Sequence, residues 1–184
     1  MPVVQGARGP LLTGIGSASV TRAQHRCRSG RLPIVLAVAG VVLALDVATK
    51  ILAVAQLSHR ASVVVVPHVL SLVLVRNPGA AFSLGTGTTI IFTGIALTIS
   101  AVILRTARRL GSTGWAIALG GMLGGALGNL GDRLFRSPGV GRGHVIDFLQ
   151  LPHWPVFNVA DSCVVGAAAL MVLLTLRGKE MAAR

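Results

Sequence analysis

Residues 120–162 read GGMLGGALGNLGDRLFRSPGVGRGHVIDFLQLPHWPVFNVADS, and the fold turns on how they are understood. The 184-residue chain has five acidic side chains, and three of them, Asp132, Asp147 and Asp161, fall here. Each sits beside apolar residues at the edge of a hydrophobic run, where solubility gives no reason for a carboxylate. A charge costs roughly 2.5–3.5 kcal/mol at mid-bilayer and less toward the interface, so such residues pair or act. Three of them at the mouth of a membrane bundle read as a site.

Composition says why a membrane is the frame. Apolar residues make up 53% of the chain and charged residues 12%, against about 25% charged in a soluble domain. Lipid is therefore the expected solvent. The net charge of +12 suggests nucleic acid in a soluble protein, but here the chain has no Tyr, two Trp and five Phe. With no basic aromatic face and no motif, nucleic-acid binding is set aside. Arginines at the ends of apolar runs fit membrane orientation and anionic headgroups better. Cys27 and Cys163 lie far apart and form neither a CxxC nor a disulfide framework, so they read as incidental thiols.

Outward from the quoted stretch, four runs are long enough to cross roughly 30 Å of hydrocarbon: about 33–55, 88–104, 114–130 and 157–176. The expected fold is a membrane all-α bundle of four transmembrane helices with a small extracytoplasmic β element. Residues 1–31, rich in Gly, Ser and Arg, read as a basic, disordered cytoplasmic tail, and 32–184 as the four-span domain. Both tails and the short turn holding Arg105, Arg108 and Arg109 then share one side, which the positive-inside rule makes cytoplasmic. The connections 56–87 and 131–156 face outward. The first, with Val63–Val66, Pro67 and Asn77-Pro78-Gly79, reads as short strands with a turn. Gly120, Gly124 and Gly128, flanked by Gly121 and Gly125, form a small-xxx-small ridge for close helix approach.

Asp46 and Lys50 stand four apart on one helical face, as a structural ion pair or as part of a proton or substrate path. Asn129, Asp132 and Arg133 share the outer end of the third run and read as a clamp, either structural or for a substrate backbone. Asp147 lies in His144–Phe148, a segment dipping back toward the bundle, while Asn158 and Asp161 share a face at the start of the fourth run. Two carboxylates brought together at a low-dielectric interface hold one proton between them. Aspartic proteolysis needs that state: one carboxylate takes a proton from water, and one carboxylic acid polarises the scissile carbonyl. Sequence alone does not put Asp147 next to Asp161. Serine chemistry at Ser83 or Ser162 lacks a base, and His25, His59, His68 and His153 show no metal-ligand spacing; His144 reads as an interface residue, with a titrating partner as the alternative.

Several separate segments then match one family in order: DVATK at 46–50, NPGAAFS at 77–83, GGALGNLGDR at 124–133, HVIDF at 144–148 and FNVADS at 157–162. The chain resembles lipoprotein signal peptidase (signal peptidase II), a four-span bacterial membrane aspartyl protease, over about residues 33–177. The resemblance implies a catalytic dyad at Asp147 and Asp161, supported by Asp46, Lys50, Asn77, Asn129, Asp132, Arg133 and Asn158. It implies cleavage of prolipoproteins just before a diacylglyceryl-modified cysteine at the outer face of the cytoplasmic membrane. It further implies no metal or organic cofactor, and inhibition by globomycin. The basic N-terminal tail and the connection from Asp132 to Asp147 depart from the family's usual lengths. Two rivals from other classes are a small ion- or proton-coupled transporter, which would carry mid-span charges and an internal repeat, and a non-enzymatic assembly protein built on the glycine ridge.

Overall fold

A computed structural model describes residues 30–79 and 88–181. The basic tail up to residue 29, with His25 and Cys27, lies outside the described residues, as do residues 80–87, which include Ser83, and Arg184.

Four helices carry the chain: α1 (Leu32–Leu57), α2 (Thr88–Ala107), α3 (Thr113–Phe135) and α4 (Val159–Leu176). Three of them, α1, α2 and α4, are long and apolar enough to cross a membrane by length and composition. Their outer faces bear the mark of lipid contact, with Leu45, Ile51 and Leu52 of α1, Ile91 and Val102 of α2, and Val165 and Val172 of α4 all exposed. Such apolar surface is tolerated where the surroundings are hydrocarbon.

The helix at the centre is α3, packed chiefly against α1 and α4 and also against α2. Its glycines set the spacing. A Cβ on Gly124 would lie 2.7 Å from the Ala39 carbonyl oxygen, and one on Gly125 would lie 2.6 Å from the Ala160 carbonyl oxygen. Gly120, Gly124 and Gly128 thus seat α1, while Gly121 and Gly125 seat α4. The single ridge expected from sequence is two adjacent ridges serving two helices. Packing of backbone against backbone replaces the hydrophobic drive that lipid does not supply. Lipid-free packing also forms a core at the other end of the bundle, where Val35, Ala107, Leu110, Trp115 and Leu119 meet.

At the opposite end a three-stranded antiparallel sheet lies over the helices, ordered β1 (Val63–Val66), β2 (Leu70–Asn77), β3 (Val145–Gln150). The hairpin β1–β2 turns through Pro67-His68-Val69, with His68 at φ 61°. The sequence indicated strands only in the first outer segment. The third strand is β3, which carries Asp147 and pairs with β2 in the register Val75↔Asp147 and Asn77↔Val145. Ile146 and Phe148 pack on Ala53 and Leu57 at the end of α1, which fixes the sheet to the bundle. Phe148 and Leu149 both donate backbone N–H bonds to the Phe157 carbonyl, so β3 is also tied to the start of α4.

Candidate active site

Three elements meet where the sheet closes on the helices. Asp147 comes from β3, Asn158 and Asp161 from the start of α4, and Asn129 and Arg133 from the last turns of α3. Asn158 caps α4: its Oδ1 accepts the Asp161 N–H at 2.9 Å, and Asp161 Oδ2 accepts the Asn158 N–H at 3.2 Å. This reciprocal capping box satisfies two helix-end donors and places the Asp161 carboxylate at the positive end of the helix dipole.

The capping amide has a second task. Asn158 Nδ2 donates to Asp147 Oδ1 at 2.6 Å and to Asn129 Oδ1 at 3.1 Å. Asn129 Nδ2 in turn donates to Asp161 Oδ1 at 2.7 Å. From the sheet, Asn77 Nδ2 donates to Asp147 Oδ2 at 2.9 Å. Asn77 faces Val145 across the ladder, so it lies diagonal to Asp147 on the same face of the sheet, within reach of a short amide. Three asparagines therefore hold two carboxylates, and the Asn129–Asn158 bond joins their settings.

Asp147 is 2% exposed. Burial pushes its carboxyl up to about 6; the Asn77 and Asn158 hydrogen bonds pull it back, the Asp161 charge raises it and Lys50 lowers it. Desolvation, opposed by the amides, thus lets Asp147 keep its proton up to about pH 6.

Beneath this layer lies a buried ion cluster. Lys50, 1% exposed, places Nζ 2.7 Å from Asp46 Oδ2, 2.9 Å from Asp132 Oδ2 and 2.9 Å from Asn129 Oδ1. An ammonium has three protons, and each has an acceptor here. Asp46 Oδ1 accepts the Ala160 N–H at 2.9 Å, in the first turn of α4. Asp132 accepts the Ile146 N–H at 3.1 Å and the Arg136 Nε–H. The cluster so joins α1, α3, α4 and β3.

The sequence grouped Asn129, Asp132 and Arg133 as one clamp, and the structure divides them. Asn129 serves Asp161, whereas the hydrogen bonds of Asp132 go to Arg136 and Ile146 and its ion pairs to Lys50 and Arg136. Adjacent side chains point about 100° apart around a helix, so Asp132 turns toward β3 while Arg133 faces Asp147 and Asp161; Asn129 and Asp132, three apart, still share Lys50. Arg133 stands over the Phe92 ring at 5.3 Å, and its charge acts on both Asp147 and Asp161. Its Nη1 is buried and has no hydrogen-bond partner among the described residues. Arg136 and Phe92 are the residues that sequence reasoning missed. The i+4 spacing of Arg136 from Asp132 was available as a signal; for Phe92 there was none.

A bundle of apolar helices closed by a small sheet over buried aspartates is the architecture of a bacterial membrane enzyme. Two solved structures described in those words, obtained by the in meso method at 2.3 and 1.9 Å resolution, superpose with TM-scores of 0.67 and 0.69 at 26% identity. They cover 79% and 78% of this chain and 88% and 93% of their own. A family model described as signal peptidase (SPase) II matches residues 38–177. A lipoprotein signal peptidase of Rhodococcus jostii is 50% identical over 165 residues, 90% of this chain and 81% of the relative. One from Mycobacterium avium is 52% identical over 150 residues, 82% of each chain. The chain belongs to the signal peptidase II family, and it is a protease. None of these relatives supports the transporter alternative.

Proposed function

We propose that the chain is a membrane-embedded aspartic endopeptidase that removes signal peptides from diacylglyceryl-modified prolipoproteins, cutting before the lipidated cysteine. Asp147 and Asp161 are the catalytic pair. The observation that carries this reading is the shared asparagine scaffold: Asn158 donates to Asp147 while its own N–H and Oδ1 engage Asp161.

The roles follow from the surroundings. Asp161, at a helix N-terminus, accepts hydrogen bonds from Asn129 and a backbone N–H. It takes the proton from the attacking water. Asp147, the more desolvated group, carries the proton that polarises the scissile carbonyl. A buried guanidinium donor without a partner costs about 1–3 kcal/mol or more, so Arg133 Nη1 has reason to take a substrate backbone carbonyl. Asn77, Asn129 and Asn158 keep the carboxylates in register; Asp46, Lys50 and Asp132 tie β3 and α4, which bear them, to α1 and α3. All four helices span the cytoplasmic membrane, with both termini cytoplasmic and the sheet on the extracytoplasmic side. The substrate's signal helix and acyl chains stay in the bilayer, and globomycin-type cyclic peptides compete for the same place. Residues 32–184 form the peptidase domain and 1–31 a basic tail.

The test is cleavage of a lipidated prolipoprotein by purified protein, read by product mass, in the wild type and in Asp147→Asn, Asp161→Asn and the double variant. Positioned acid–base groups contribute typically 10²–10⁴-fold. Each single variant is expected to lose at least about 10²-fold with its melting temperature retained. The double is expected to be about as inactive as either, because the pair acts as one unit. Wild-type cleavage by either single variant would end the reading. Unlipidated substrate should be cut poorly, since the acyl chains position the backbone.

A further inference from the structure

Two cavities adjoin on the side of the bundle formed by α1 and α3. One, about 290 Å³, is lined by Arg76, Arg136 and His144 with Val54 and Phe135. The other, about 550 Å³, runs between the helices past Leu43, Val47, Leu127 and Leu134. Both include Phe135 and Arg136, so the polar chamber and the apolar one share a wall. Phe135 itself is 88% exposed. Neither Asp147, Asp161 nor the three asparagines that hold them lines either cavity, which separates this place from the proposed dyad.

The dimensions and charges point to one kind of ligand. Val54 lies eleven residues beyond Leu43 on α1, about 16 Å along the axis at about 1.5 Å per residue. That is close to one leaflet of a hydrocarbon core about 30 Å thick. At the helix ends the charge is basic: residues 58–79 contain no acid, and residues 136–158 contain Asp147 alone. Arg136 is matched by Asp132, and Lys50 by Asp46 and Asp132, so that cluster is balanced. Arg76 is exposed on β2, and among the described residues it has no carboxylate partner. A cation left over at the head of a groove one leaflet deep is complementary to a phosphate bearing acyl chains.

We propose that the two cavities form a single site for a glycerophospholipid with a net anionic headgroup, its phosphate held by Arg76 and Arg136 beside His144 and one acyl chain lying between α1 and α3. The site rests on α1 and α3 being embedded in a bilayer and is independent of which residues perform catalysis. It takes an intact phospholipid, whereas the proposed substrate's lipid lacks a phosphate.

Native mass spectrometry of the full chain in detergent tests it, with phosphatidylglycerol, phosphatidylcholine, a diacylglycerol and inorganic phosphate as probes. The wild type is expected to retain phosphatidylglycerol about tenfold more tightly than phosphatidylcholine, with diacylglycerol weaker still. Arg76→Gln should bring the first two within about twofold of each other, while Val47→Trp, which fills the groove, should weaken both. Equal retention of the two phospholipids by the wild type, or an unchanged preference in Arg76→Gln, would overturn the site. So would displacement of the lipid by millimolar inorganic phosphate, which would mark a free-anion site. A phosphatidylglycerol with a photoreactive mid-chain group needs no variant. It should label peptides around Leu43–Val47 and Leu127–Leu134. Even labelling of all helices, or protection by lipidated prolipoprotein (which would assign the groove to substrate), would refute the proposal.

Discussion

Lys50 shows how much a single side chain holds in this protein. Its ammonium sits among two carboxylates and an amide oxygen with no access to water. Removing one partner of a buried ion cluster costs about 3–5 kcal/mol, because the remaining charges are left uncompensated. Lys50→Met should therefore lower the melting temperature sharply, and Asp46→Asn in the same chain should recover part of the loss. Differential scanning in detergent reads both; additive losses would mean that the two residues do not form a unit. Asp147 has a different signature. Its folded value near 6 lies above the ordinary 3.8. Below about pH 4 both states hold the proton. Between about 4 and 6 the unfolded chain releases it and the folded chain keeps it. The stability this group contributes is thus fully present below about pH 4 and is lost as pH rises through about 6. Melting of the wild type relative to Asp147→Asn, followed from pH 4 to 7, should decline over that window. A constant difference would contradict the buried, proton-holding setting. For the same reason kcat/KM of the free enzyme should fall as pH rises through about 6.

Among the elements, α3 is the one whose composition and role diverge most. Its glycines weaken a helix in isolation, by roughly 0.8–1.0 kcal/mol each relative to alanine, yet the helix lies at the centre because a bare backbone allows α1 and α4 to come close. Gly124→Leu should force α1 away, since even a Cβ would meet the Ala39 carbonyl and Val42. We expect a large drop in melting temperature and lost cleavage. Gly166→Ala in α4 meets nothing within 4 Å and should be neutral or slightly stabilising. Equal tolerance of both substitutions would remove the close-packing account. The helices were legible from their apolar runs, to within a few residues at most ends, although α3 continues to Phe135 and so makes Asp132 and Arg133 helical. Strand β3 was not legible. VIDFLQ alternates weakly, and its pairing with β2 depends on a partner some 70 residues away.

At the scale of the whole molecule, apolar length and arginine placement predict which way the bundle faces. Reporters joined after Arg109 and after Arg184 should be cytoplasmic, and one inserted near Ser62 extracytoplasmic. A cytoplasmic reporter near Ser62 would invert the proposed orientation and move the sheet, with the proposed dyad beneath it, to the other face. The same molecule-wide view explains why the site lies where it does: α1 and α4 meet α3 along glycine ridges, and the polar cluster closes the bundle where the sheet begins.

The residue string alone determined that lipid is the solvent, since half the usual charge is missing and long apolar runs recur. It also singled out most members of the buried polar network around Asp147 and Asp161, because a carboxylate, amide or ammonium beside hydrocarbon stands out by its cost. Which of those residues touch was decided by tertiary structure. Asn77 meets Asp147 through strand register, Asn129 meets Asp161 through helix packing, and Asp132 turns from its sequence neighbours to Lys50 and β3. Spacing along a helix or strand orders a side chain's nearest neighbours on its own element only. Contacts 29 to 79 residues apart arise when separate elements dock, and docking depends on backbone approach at glycines and on buried amides that must find partners.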